Sequence, residues 1–402
     1  MTPQVYLRRG KEESLLRHHP WIFSGAIDYI KAEDEAEITE GALVEVYTHG
    51  GEFIALGHYQ IGSIAVRVLS FERCAIDAAW WRGRIASALD VRRTLGLTDA
   101  PDTTCYRLVH GEGDSLPGLV VDIYGTTAVV QCHSVGMYRA RLDVAAALRE
   151  VYGSRLTAIY DKSSQTVPYN ARLGAVDGYL WGSSDHETQV VLEHGEKFLV
   201  NWEHGQKTGF FLDQKENRAA IAPFVKGKTV LDCFTHTGSF ALHAGHYGAK
   251  KVTGVDISAF ACEFATENAR LNGLENVVHF VEANAFDLLA EQSRAGVKYD
   301  VVILDPPAFT KTRSAIEAAT RGYKEINLRA MKMVKPGGYL ITCSCSQHIL
   351  PDAFMQIVRD AAHDAHVQLR QVEYRTQGRD HPILPAAPET QYLKCGIFQI
   401  FD

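Results

Sequence analysis

Short apolar runs separated by glycine-containing turns fill the first 73 positions. Leu43-Val44-Glu45-Val46-Tyr47 and Ile64-Ala65-Val66-Arg67-Val68-Leu69 have the length and β-branched content of strands, and turns are expected at His49-Gly50-Gly51 and Ile61-Gly62. Residues 1–73 therefore read as a small β-rich domain. An acidic stretch over 33–40 reads as a solvated loop. Over 76–186 the pattern mixes: 80–97 and 138–151 carry helical periodicity, while 119–124 and 128–132 read as strands about the turn at Gly125-Thr126. This predicts a central α+β domain without a nucleotide-binding fingerprint.

From 187 to 402 the pattern changes again. Residues 190–200 predict a hairpin turning at His194-Gly195. Beyond Lys228, strand, loop and helix alternate, with strands expected at 229–232, 251–256, 277–282, 299–305 and 339–343. That alternation predicts an α/β domain whose parallel sheet is covered on both faces. No internal repeat or low-complexity segment interrupts it.

Composition narrows the class. Of 402 residues, 46% are apolar and 22% charged, which is ordinary for a globular chain of two or three domains. No apolar run approaches the ~20 residues of a membrane helix, and Met1-Thr2-Pro3-Gln4 does not open a signal-peptide pattern. The eight cysteines form no Cys-x-x-Cys pair, so reduced thiols and a cytoplasmic setting are expected. A net charge of −7 argues against a protein that holds nucleic acid by bulk charge. It leaves room for a local basic patch, and Arg8, Arg9, Lys11 and Arg17 cluster beside His18 and His19.

In an open α/β sheet, ligands sit at the carboxyl ends of the strands. Here Asp232 closes the first strand and Asp256 the second, a separation that suits an acid binding ribose hydroxyls. The loop Asp232-Cys233-Phe234-Thr235-His236-Thr237-Gly238-Ser239 has one glycine, whereas a pyrophosphate needs close backbone approach at several points. A cofactor without phosphates fits better. S-adenosyl-L-methionine could use Asp256 for its ribose, the Gly238 turn for its amino-acid tail and Asp232 for the tail ammonium. Its adenine would lie against Ile257 and meet Asn284 and Ala285.

The fourth strand ends in Asp305-Pro306-Pro307-Ala308-Phe309, where two prolines stiffen the chain and hold Asp305 at the tip. The fifth ends in Thr342-Cys343-Ser344-Cys345-Ser346. A cysteine at a sheet's carboxyl edge can act as a nucleophile if its thiolate is stabilised. Zinc is disfavoured, because a lone Cys-x-Cys offers two ligands and no second pair has the right spacing; no metal is expected. In a strand at roughly 3.3 Å per residue, Cys345 lies about 6–7 Å nearer the substrate edge than Cys343. Cys345 is therefore the expected nucleophile and Cys343 a packed thiol.

Asp-Pro-Pro-x-Phe followed by Ser-Cys-Ser, with Arg321-Gly322-Tyr323-Lys324-Glu325-Ile326-Asn327 between them, resembles the class I 23S rRNA cytosine-C5 methyltransferases of the RlmI-like type. Arg107-Leu108-Val109-His110-Gly111-Glu112-Gly113-Asp114, Pro117 to Asp122, and Gln206-Lys207-Thr208-Gly209-Phe210-Phe211-Leu212-Asp213-Gln214 extend the resemblance over the whole chain. It implies a PUA domain, a small β-barrel-like RNA-binding module, at the N-terminus. It also implies a Rossmann-like class I methyltransferase domain at the C-terminus. The resemblance further implies cofactor contacts from Thr208, Phe210, Phe211, Asp213 and Gln214 as a cap, and from Asp232, Phe234, Thr235, Thr237, Gly238, Asp256, Ile257, Asn284, Ala285 and Asp305. The family's nucleophile carries over to Cys345. This chain departs in having the further Cys343, and in having Ala308-Phe309 where many RNA cytosine methyltransferases place a second cysteine.

The expected reaction is formation of 5-methylcytosine in 23S rRNA, with Cys345 attacking C6 and Asp305 binding the N3 and amino edge of an unstacked base. Arg8, Arg9, Lys11 and Arg17 are the expected RNA contacts, and the oligomeric state, a homodimer included, stays open. Two rivals compete: an amino-group methyltransferase acting on adenine N6 or a protein glutamine, and a non-catalytic RNA-binding ribosome assembly factor.

Overall fold

The structure is a computed structural model that describes residues 2–32, 38–168, 173–184, 188–310 and 312–401. Most of the acidic stretch at 33–40, and the expected domain boundary at 186/187, lie outside the described residues. Backbone contacts divide the chain into two compact units. One comprises Met1–Val191, Val200–Leu212 and Arg379–Thr390; the other comprises Leu192–Leu199, Asp213–Gly378 and Gln391–Asp402.

The first unit holds two sheets. Strands β1 (Gln4–Leu7), β2 (Trp21–Phe23), β3 (Ile27–Lys31), β4 (Leu43–Tyr47), β5 (Phe53–Tyr59) and β6 (Ile64–Ser70) form a six-stranded sheet in the order β2-β6-β5-β4-β1-β3. Alternate residues of β1 and β4 point inward, so Val5, Leu7, Val44 and Val46 meet Val66 and Val68 in a small core. Gly57 of β5 lets two strands cross closely: a Cβ there would stand 2.4 Å from the Arg67 carbonyl oxygen. The second sheet runs β11-β10-β9-β8-β7, from β7 (Cys105–His110), β8 (Leu119–Tyr124), β9 (Thr127–Cys132), β10 (Ala158–Asp161) and β11 (Gly178–Gly182). Its core is sealed by the helices Ala78–Thr94 and Arg141–Tyr152, the first capped by Asp77, whose carboxylate accepts from the Trp80 amide.

A hairpin, β12 (Gln189–Glu193) and β13 (Glu196–Val200), turns at His194 (φ 49°) and Gly195 (φ 87°), the two left-handed residues a tight two-residue turn requires. The second unit is built on seven strands: β14 (Thr229–Cys233), β15 (Lys251–Asp256), β16 (Val278–Glu282), β17 (Tyr299–Leu304), β18 (Val334–Ser344), β19 (Gln368–Arg375) and β20 (Lys394–Phe401). Their order is β16-β15-β14-β17-β18-β20-β19, and β20 alone in this sheet runs antiparallel to its neighbours. Near-continuous buried runs in β14, β17 and β18 mark a sheet covered on both faces. The helices Ile316–Met333 and Pro351–Ala365 pack over one face through Ala319, Ile326, Met331, Phe354 and Val358.

The structure refines the strand ends that matter. β17 stops at Leu304, so Asp305 stands just beyond it, and β18 runs on to Ser344, so Cys345 is the first residue past its end. The five strands expected from the pattern are present, and β19 and β20 extend the sheet. Val200–Leu212 and Arg379–Thr390 pack with the first unit although both lie in the 187–402 stretch.

Candidate active site

β14 and β17 are neighbours whose helices cross to opposite sides, which makes their carboxyl ends the topological switch point of the sheet. The loop from β14 to the helix Ser239–His246 opens there. Phe234 (φ 65°), His236 (φ 51°) and Gly238 (φ 86°) all adopt left-handed backbone. At Gly238 a side chain would also collide with Phe280, whose Cζ would stand 2.7 Å from the added Cβ. Asp232 lies under this loop, fully buried. Its Oδ2 accepts from the Thr235 hydroxyl (2.5 Å) and the Ala241 amide (3.1 Å), while its Oδ1 is enclosed without a partner. Burial, reinforced by the charges of Asp305 and Asp256, lifts its carboxyl to about 7. The Thr237 hydroxyl is likewise buried and unpartnered.

Asp256 ends β15. Its two oxygens accept from the backbone amides of His236 (2.9 Å) and Ser258 (3.0 Å), which fixes the carboxylate at the mouth of the loop. Ile257 beside it is 69% exposed, a bare apolar surface at the strand tip. After β16, Asn284 caps the helix Ala285–Arg294 by accepting from the Phe286 amide at 2.9 Å, and Ala285 is buried.

Asp305 stands on the other side of the switch point, with its amide directed at the Cys233 carbonyl (3.4 Å). Gln214 donates its side-chain amide to Asp305 Oδ1 at 2.9 Å and accepts from Asn217 at 2.7 Å, so its orientation is fixed from both ends. Asp213 accepts from the Tyr392 hydroxyl at 2.7 Å. Phe309 is packed between Phe286 (centroids 5.6 Å apart) and Tyr323 (4.5 Å).

The two cysteines differ sharply. Cys343 lies inside β18, fully buried and in register with Cys395 of β20. The hydrogen bond with the Cys395 thiol and burial push its thiol well above the usual range, so it stays protonated. Cys345 is half-buried, and its Sγ lies 3.8 Å from the Pro306 carbonyl oxygen, which brings the fifth-strand thiol against the Asp305-Pro306-Pro307 loop.

Thus Asp213, Gln214, Asp232, Phe234, Thr235, Thr237, Gly238, Asp256, Ile257, Asn284, Ala285, Asp305 and Cys345 all belong to the carboxyl edge of one sheet or the segments beside it. Thr208, Phe210 and Phe211 belong to the first unit. The Thr208 side chain is fully buried, donates to Asp122 at 2.6 Å and lies 3.0 Å from the Tyr124 hydroxyl. Arg8, Arg9, Lys11 and Arg17 are exposed around the end of β1 and the turn of helix after it. Sequence reasoning passed over Ser346 and Lys394, both buried beside Cys345. A lysine opening an apolar strand looks like a solvated strand end, and no local signal marks it otherwise.

Residues 107–393 match the S-adenosylmethionine-dependent methyltransferase family, and residues 5–71 match a PUA-like domain. The chain is 39% identical over 397 residues to ribosomal RNA large subunit methyltransferase I of Klebsiella pneumoniae (strain 342), covering 98% of this chain and 97% of that one. The chain belongs to this methyltransferase family. The protein of the same name from Aeromonas hydrophila is 40% identical over 398 residues, covering 98% of both chains. The fold also matches the crystal structure of SMU.776 complexed with SAH, with a TM-score of 0.86 at 21% identity over 99% of this chain and 100% of that one. The protein is an S-adenosylmethionine-dependent methyltransferase with a PUA-like N-terminal domain. The cofactor loop fits that cofactor: it offers a buried unpartnered carboxylate oxygen, an anchored acid at the second strand end and a glycine turn where a side chain would clash.

Proposed function

We propose that the enzyme methylates C5 of a cytosine in 23S rRNA through a covalent adduct with Cys345. The observation that carries this reading is the half-buried Cys345 thiol, just past β18 and 3.8 Å from the Pro306 carbonyl of the Asp305 loop. The relatives named ribosomal RNA large subunit methyltransferase I support an rRNA substrate, and with it a place in the cytoplasm. The PUA-like domain, with Arg8, Arg9, Lys11 and Arg17 exposed, supplies phosphate contacts that hold the RNA without reading its sequence.

Each residue has a distinct task. Asp256 holds the cofactor ribose, and Asp232 and Thr237 face its amino-acid tail. Asp305, oriented by Gln214, binds the N3 and amino edge of the flipped cytosine. The Cys345 thiolate forms a bond to C6, and the C5–C6 electron pair becomes available at C5. Bound S-adenosylmethionine supplies the electrophilic methyl group that C5 takes. Loss of the C5 proton to a base returns the electron pair, breaks the Sγ–C6 bond and expels the thiolate. An amino-group methyltransferase needs an aromatic side chain free to stack on its substrate. Here Ala308 follows the prolines, and Phe309 is held between Phe286 and Tyr323.

The test is a 23S rRNA fragment containing 5-fluorocytosine, incubated with enzyme and S-adenosylmethionine. The fluorine cannot leave as a proton does, so a stable protein–RNA adduct should accumulate and map to the Cys345 peptide. Turnover without any adduct, or methylation by Cys345→Ala at the wild-type rate, would refute the mechanism.

A further inference from the structure

Lys394 is 1% exposed, among the most deeply buried charged side chains of the sheet. Its Nζ donates to the Ser346 carbonyl at 2.8 Å and to the Tyr392 carbonyl at 2.8 Å. The β18/β20 register pairs Ser344 with Lys394. Cys345 is therefore bracketed: the residue before it is paired with the Lys394 backbone, and the residue after it accepts the Lys394 ammonium. Two neutral carbonyls orient this charge without cancelling it, and no carboxylate pairs with Lys394 among the described residues. An unneutralised buried ammonium is costly, and a nearby thiolate offsets that cost.

Neutral and acidic groups also stand around the thiol. From β18 and β20 come the thiols of Cys343, which is held protonated, and Cys395. From the helix Ile316–Met333 comes Tyr323, whose phenol burial pushes up to about 12, leaving it neutral. Tyr392 gives its hydroxyl to Asp213. From the end of β17 comes Asp305, an acid that accepts from Gln214 and disfavours a second negative charge.

We infer that Lys394 is a positioning residue for the reaction: its buried ammonium fixes the Ser346 backbone and stabilises Cys345 as the attacking thiolate. The inference rests on the reading of Cys345 as nucleophile. Burial pulls the Lys394 ammonium down to about 8, and the neighbouring Cys345 pushes it back up. The charge is thus present through neutral pH and is lost as pH rises beyond that value. Lys394 exchanges no proton in the reaction. The thiol proton passes to solvent, and the sulfur lone pair forms the bond to C6.

The experiment is alkylation of the full-length protein with iodoacetamide over a pH series, read at the Cys345 peptide by mass spectrometry. In the wild type the midpoint should fall below the ~8.5 of a free thiol. In Lys394→Met it should rise by about one unit, which is roughly tenfold less thiolate at neutral pH. Lys394→Arg should hold it nearer the wild-type value. Unchanged S-adenosylmethionine affinity by calorimetry would show that each variant is folded. A wild-type midpoint at or above that of a free thiol would overturn the inference even if Lys394→Met did not fold, as would equal midpoints in wild type and folded Lys394→Met. Failure of the nucleophile reading itself would show separately, as an absent 5-fluorocytosine adduct in the wild type.

Discussion

The hydroxyl groups of Tyr323 and Ser346 lie 2.9 Å apart, and the same Ser346 oxygen accepts the backbone amides of Phe309 (3.0 Å) and Thr310 (3.4 Å). One fully buried hydroxyl thereby joins the helix Ile316–Met333 to the loops that follow β17 and β18, the two loops that carry Asp305 and Cys345. The phenyl ring of Tyr323 also backs Phe309. Packing and polar contacts converge on the turn that sets the distance between the Asp305 and Cys345 loops.

Removing the serine should therefore cost more than removing the tyrosine hydroxyl. Ser346→Ala takes one hydrogen-bond partner from the Tyr323 hydroxyl and from the Phe309 and Thr310 amides, a loss of about 1–3 kcal/mol. Tyr323→Phe leaves the serine serving both amides and should cost about 1 kcal/mol. Urea unfolding of the two variants measures the difference. Equal losses, or no loss in Ser346→Ala, would show that the hydroxyl does not hold the junction.

The buried Asp232 carboxyl carries a pH dependence of defined sign. Its folded carboxyl, raised by burial to about 7, lies above the ordinary value of 3.8. Between those values the native state takes up a proton, so stability falls as pH rises through that window. A cofactor ammonium beside the carboxylate would restore the charged form. Binding of S-adenosylmethionine near pH ~6 should then release a proton, and affinity should rise with pH up to about 7. Calorimetry in buffers of different ionisation enthalpy reads the released proton directly. Asp232→Asn should abolish the release. Binding by the wild type without proton exchange would remove Asp232 from the cofactor tail.

Part of this site was legible from the chain because its signals are local. Asp232 and Asp256 end apolar runs, Gly238 marks a left-handed turn, and Pro306-Pro307 stiffens the segment after Asp305. Each is a statement about a few consecutive residues and the backbone they permit. The partners of those residues were not legible, because they arrive from far along the chain. Lys394 reaches Ser346 only because β20 inserts between β18 and β19. Thr208 reaches Asp122 because Val200–Leu212 packs back onto the first unit, 86 residues away in sequence from its hydrogen-bond partner. Gln214 stood in a recognisable motif, yet its bond to Asp305 spans 91 positions. The same holds for Glu193, an unremarkable hairpin residue by pattern, which is fully buried and forms a bidentate pair with Arg218 (2.6 and 2.7 Å).

The pair Cys343 and Cys345 provides the sharpest separation of structure from chemistry. Two residues apart, they would share a face in a regular strand. β18 ends between them at Ser344, and their environments diverge at that point. Cys343 is enclosed in the sheet opposite Cys395, where the thiol–thiol hydrogen bond and burial keep it protonated, and a protonated thiol is a poor nucleophile. Cys345 reaches the Pro306 carbonyl and retains exposure. Cys343→Ala should therefore keep substantial methylation activity and lose about 1 kcal/mol of stability, the cost of deleting a small buried group. Cys345→Ala should lose methylation while binding S-adenosylmethionine with wild-type affinity, since the residues proposed to hold the cofactor lie on other strand ends. Single-turnover methylation of an rRNA fragment, paired with calorimetry on both variants, separates the roles. An inactive but folded Cys343→Ala with an active Cys345→Ala would reverse the assignment.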